Sequence, residues 1–130
     1  MIGVNMDSFD ISEKNCAFEV AAHVMPVGGD MLVVLTGGRA HIGAVAIAQP
    51  RPGIGDPSRI GSTSSVFTLV GHKEDVIAKS MSEELSRKLD RVVTVVAGIH
   101  WDGLTQRDIA MVVELCGTIE KMIIAEAVKR

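Results

Sequence analysis

Apolar residues fall in short blocks separated by Gly and Pro, and their period changes part-way along the chain. Residues 17–27 are rich in β-formers and end at Pro26 and Gly28-Gly29, which predicts a first strand. Residues 31–36 predict a second strand and 41–48 a third, with Gly37-Gly38 between them as the tight turn of an antiparallel hairpin. The third block is pared down to Gly43, Ala44, Ala46 and Ala48, as in a central strand approached closely by a helix, a ligand or a neighbouring subunit. Gln49 to Gly61 holds three of the four prolines and three glycines and reads as a surface loop. Residues 62–70 predict a fourth strand.

From Lys73 to Leu89 the period lengthens. Ile77, Met81, Leu85 and Leu89 recur every four residues, the stripe of a helix facing a sheet. Residues 91–97, RVVTVVA, form a β-branched run expected in a strand buried on both faces or at an interface. Thr105 begins the last helix, with Asp108 at N3 of a capping-box pattern and Leu104 placed to staple onto Ile109. Ile109, Val112, Val113, Cys116, Ile119, Ile123 and Ala127 form one apolar face, and Met111, Leu115, Met122 and Ile124 add apolar area elsewhere. That excess points to burial against another subunit, and a dimer is the first expectation. The order is ββββαβα: an α+β fold, a two-layer sandwich with a mainly antiparallel or mixed sheet of about five strands and two helices on one face. Residues 1–130 read as one domain, with 1–15 as a loosely docked leader and 49–61 as a Pro/Gly-rich loop.

Composition narrows the function. Thirteen Lys plus Arg against sixteen Asp plus Glu leave a formal charge of -3, no basic field for a phosphate backbone. With 3% aromatic residues and no Tyr, base-stacking platforms are missing too, so nucleic acid is not an expected partner. The first fifteen residues lack the positive and apolar regions of a secretory signal, and no apolar run approaches the ~20 residues that cross a bilayer. A cytoplasmic location is expected, with no membrane contact. Cys16 and Cys116 form no CxxC pair and read as reduced, packing thiols.

Three of the four histidines stand in glycine-containing turns: GGRAHIG at 37–43, GHKE at 71–74 and GIHWDG at 98–103. If the second, fourth and fifth predicted strands run in the same direction, His41, His72 and His100 gather at one edge of the sheet, where loops usually carry function. In GHKE the first-turn N–H groups of the helix favour an anion, with Lys73 and His72 adding charge; a plain solvated helix start is the competing reading. In GGRAHIG, Arg39 is a planar donor suited to phosphate or carboxylate, against a turn that merely needs glycine. In GIHWDG, Trp101 either plugs or stacks, and Asp102 either orients His100 or caps the chain locally. Three histidines and a water also suffice for zinc, but no two have the i, i+4 spacing of a helical site. His23 reads as a strand residue with a local hydrogen bond. No nucleophile stands beside a base at diagnostic spacing, so no catalytic residue is nominated.

Taken together, TGGRAHIGAVAIAQPR at 36–51, LVGHKEDVIA at 69–78 and VVAGIHWDGLT at 95–105 resemble the small D-subunit family of gallate and hydroxyarylic-acid decarboxylases. The likeness runs from about Phe18 to the last helix. It implies a chaperone-like protein for prenylated flavin mononucleotide (FMN), with a fold similar to small proteasome-assembly chaperones and a decarboxylase as client. By the same resemblance, Gly37, Gly38, Arg39 and His41 form one wall of a cofactor site, Gly71, His72 and Lys73 its phosphate end, and His100 with Asp102 a third wall. Two other functions stay open: an assembly chaperone or subunit without a small-molecule site, and a small metal-dependent hydrolase using His41, His72 and His100.

Overall fold

The computed structural model describes residues 7–69 and 74–130. Its elements are β1 (Phe9–Asn15), β2 (Phe18–Val27), β3 (Asp30–Gly38), β4 (Ala44–Pro52), β5 (Ile60–Thr68), α1 (Asp75–Leu89), β6 (Val93–His100) and α2 (Gln106–Ala127). The α+β class and the helices on one face agree with the sequence pattern, and the sheet has six strands where about five were expected. The additional strand is β1. It lies in the stretch read as a leader, and Phe9 and Ile11 turn inward against the core while Asp10, Ser12 and Lys14 alternate outward.

The strand order is β1-β2-β3-β6-β4-β5. The expected hairpin across Gly37-Gly38 does not form. The strand that pairs with β3 is β6, parallel and in register from Met31↔Val93 to Gly38↔His100. On its other side β6 pairs antiparallel with β4, which makes its own hairpin with β5 through the Pro-rich segment. The physical reason is in β6 itself: Val93, Val95 and Ala97 face the core while Thr94 and Val96 are half-covered on the other side, so the run belongs in the middle of the sheet. The Pro-rich segment is more ordered than a plain loop, since β4 continues to Pro52 and β5 begins at Ile60. Its tip is closed by Arg59 N–H donating to Asp56 O at 3.1 Å.

One face of the sheet carries the core. Val20, Ala22 and Val24 of β2, Met31, Val33 and Leu35 of β3, and the three small residues Ala44, Ala46 and Ala48 of β4 are buried there. The alanines let α1 approach β4 closely, seating Ala78, Met81 and Leu85. α2 packs over β1, β2 and α1, burying Val112, Leu115, Cys116, Ile119, Ile123 and Ala127. Most of its apolar surface is therefore used within the chain. Its capping box is complete: Thr105 Oγ1 accepts from Asp108 N–H at 3.1 Å, and Asp108 Oδ2 accepts from Thr105 N–H at 3.0 Å. Among the described residues no helix is long and apolar enough to cross a membrane. Cys116 is buried as expected of a packing thiol, whereas Cys16 is exposed in the β1–β2 turn at φ 55°.

Candidate functional site at the sheet edge

The strands β3, β5 and β6 run in one direction, as the histidine-turn argument required, so their exits share an edge with the start of α1. There the segment after β3 lies across the end of β6. Arg39 N–H donates to His100 O and Gly43 N–H to Ala97 O, both at 2.9 Å. Two glycines make the crossing feasible. A β-carbon on Gly98 would fall 1.5 Å from His41 O, and one on Gly38, which sits at φ +64°, would fall 2.1 Å from His100 O. The GGRAHIG motif thus carries the chain over the end of β6 and reverses it from β3 into β4, two antiparallel strands that β6 separates.

The side chains gathered by this crossing form a linked set. His41 Nδ1 donates to Arg39 O at 3.0 Å, since a carbonyl only accepts, which leaves Nε2 facing Glu74 Oε1 at 2.9 Å. Only 8% of the Glu74 side chain is exposed. Glu74 Oε1 also accepts from Ile99 N–H at 3.3 Å, tying the entry of α1 to the end of β6. The His100 ring stands edge-on to His41 with centroids 6.2 Å apart. Its Nε2 donates to Asp102 Oδ1 at 2.9 Å, and Arg39 Nη2 lies 3.8 Å from the same oxygen. The hydrogen bond from His100, its charge and then that of Arg39 hold the Asp102 carboxyl below the usual carboxylate range. Trp101 rests edge-on against Phe18 at 5.1 Å, so its ring belongs to the floor of this edge.

Beside the edge, a groove of about 650 Å³ runs between α1 and α2. Glu74, His100 and Trp101 line its mouth, and Ile77, Met81, Ile109, Val113 and Gly117 its length. Further along, burial and then the nearby Glu84 carboxylate push Glu120 up to about 7. Burial likewise pushes the Cys116 thiol up to about 12, which leaves it a neutral packing group. A shallower depression on the outer side of α1 is lined by charges that pair with one another, Lys79 with Glu83 and Arg87 with Glu84. It offers no convergent set. Among the described residues no group of three or more His, Cys, Asp or Glu is placed to hold a metal ion.

Residues 14–127 match the model of the prenylated flavin chaperone LpdD-like domain. The chain belongs to that family. This LpdD-like domain is 26% identical over 113 residues to protein LpdD of Lactiplantibacillus plantarum, covering 86% of this chain and 79% of that protein. It is also similar to a solved structure described as a novel chaperone complex for yeast 20S proteasome assembly, with TM-score 0.48 and 11% identity over 95% of this chain and 92% of the other.

In the LpdD-like domain, Gly37, Gly38, Arg39, His41, His100 and Asp102 come together as one surface, while Gly71, His72 and Lys73 lie outside the described residues. His23 is engaged elsewhere, through Nδ1 to Asp10 Oδ1 at 2.8 Å. Two features were not read from the sequence. Glu74 looks there like the solvated start of a helix, and only the return of β6 reveals its burial. The groove had a fainter signal in Val76, which lies off the α1 stripe, whereas Ile109 and Val113, read as part of the buried face of α2, are 44% and 50% exposed and line the groove instead.

Proposed function

We propose that this LpdD-like domain is a non-catalytic accessory protein that binds a phosphorylated flavin-type cofactor, prenylated FMN, and delivers it to a decarboxylase client. The observation that carries the reading is the continuity of a polar, hydrogen-bonding edge with an apolar groove. A flavin nucleotide has the same two parts, an anionic chain and a large ring system, and the groove's volume is within the roughly 300–1,000 Å³ typical of small-molecule sites.

On this reading Arg39, with Gly71, His72 and Lys73, takes the phosphate end. His41 and the His100–Asp102 pair present donors to the polar side of the ring, and Trp101, Met81 and Ile109 cover its apolar side. The site supplies recognition and shelter from water. Release to a client fits its open mouth, since Arg39 and Asp102 are largely exposed.

The test is native mass spectrometry with absorption spectroscopy on protein co-expressed with a flavin prenyltransferase. A stoichiometric flavin species is expected. It should be lost in Lys73→Ala and weakened in Arg39→Ala, and both variants should discriminate less between FMN and riboflavin than the parent. Equal losses for FMN and riboflavin would remove the phosphate assignment. A protein that stays empty and ignores added flavin nucleotides would leave a chaperone acting on a protein client alone.

A further inference from the structure

The helices cover only one face of the sheet. On the other face the register sets apolar residues side by side: Val34 opposite Val96, Val96 opposite Val45, and Val45 opposite Phe67. A second row carries Leu32 and Ile47 on either side of Thr94. Phe67 is 72% and Ile47 50% exposed, although both sit within regular strands. Outward positions 21–25, 32–36, 94–98 and 45–49 of the four inner strands include no Asp, Glu, Lys or Arg. Charge stands at the margins of the face: Asp10, which engages His23, and Lys14 on β1, Glu19 at the start of β2 and Arg51 near the end of β4. An apolar centre within a polar margin is the make-up of an interface.

We infer that this bare sheet face is where two copies of the chain associate back to back, each providing the missing third layer of the other. Three points select a second copy as the occupant. The centre of the face is uncharged, so two copies meet there without opposing like charges in a protein whose formal charge is -3. A twisted sheet is matched by a sheet of the same twist, packed about 10 Å away at about -30°. The area also fits an apolar centre within a polar rim: four strands about 4.8 Å apart and five residues long make a centre of roughly 320 Å², and six strands about seven residues long a whole face of roughly 650 Å². That approaches the roughly 800 Å² that each partner buries in a standard stable interface. The arrangement leaves the groove and the histidine edge uncovered, and it does not depend on what they bind.

Sedimentation of the full chain at micromolar concentration tests this. The parent protein is expected at twice 13.8 kDa, and Phe67→Glu combined with Ile47→Lys is expected to raise the dimer Kd at least about a hundredfold with unchanged far-ultraviolet circular dichroism. Because both side chains are solvent-exposed in the single chain, the double variant should fold. Isotope-filtered methyl NMR on mixed-label parent protein provides a second readout, with intermolecular contacts expected from Val45, Ile47 and Val96. A monomeric parent would overturn the inference. So would a dimer that the double variant leaves intact, or intermolecular contacts arising only from Ile109 and Val113 of α2.

Discussion

At Gly38 the backbone is left-handed and the His100 carbonyl occupies the space of a β-carbon, so alanine meets two penalties at once. Gly38→Ala should cost roughly 2 kcal/mol or more, read as a lower urea midpoint at unchanged slope. The single Trp101, packed on Phe18 beside this turn, makes its fluorescence a local reporter of the same transition. At Asp102 the ionised form is favoured by His100 and Arg39, so these contacts persist above the ordinary carboxylate range and are lost as pH falls through the lowered value. In His100→Ala the carboxyl-carbon titration of Asp102 should move up toward the ordinary range, and added salt should shrink the difference because the site is exposed. The gathering of Gly, His and Arg at this edge was legible in the sequence only through their concentration in turns, since each turn also had a plain structural reading. The partnership of His41 with Glu74 was not. It joins residues thirty-three positions apart through a strand that comes later than either.

α2 was the most legible element, because a capping box is local chemistry that no distant residue overrides. Thr105→Ala should remove about 1 kcal/mol of stability in urea titration. Gly117 is a different case, since a β-carbon there meets nothing within 4 Å and would enter the groove. Gly117→Leu should stabilise the helix by several tenths of a kcal/mol or more yet block flavin binding, a separation that thermal melting and ligand titration measure together. Glu120 links the groove to pH. Its folded value of about 7 exceeds the ordinary 4.5, so its contribution to stability is complete below about 4.5 and is lost as pH rises through about 7. Glu84 deepens that loss while Arg87 and Lys121 oppose it. Glu120→Gln should flatten the pH dependence of the urea midpoint between pH 5 and pH 8. The helical stripes of α1 and α2 were likewise legible, since burial follows their period. The hairpin expected at Gly37-Gly38 failed because two glycines fit a tight turn and a close crossing equally well.

For the whole molecule, the hydrophobic pattern was enough for the class, while the common direction of β3, β5 and β6 entered only as a condition, and strand order is set by which faces can be buried together. A run covered on both sides must lie inside the sheet, yet nothing local says between which partners. The answer puts β6, the last strand in the chain, between β3 and β4, with parallel pairing to one and antiparallel pairing to the other. A chain ending before Val93 would hold β1–β3 and β4–β5 as two ribbons with no strand joining them, and it should show no cooperative urea transition by circular dichroism. That order also has a consequence during synthesis. While the ribosome is still adding residues, both ribbons can form, but the seat for His41 and the wall holding His100 come into being only when β6 inserts and closes the gap. On the proposed function, the cargo site is therefore complete only once β6, and α2 after it, have been made.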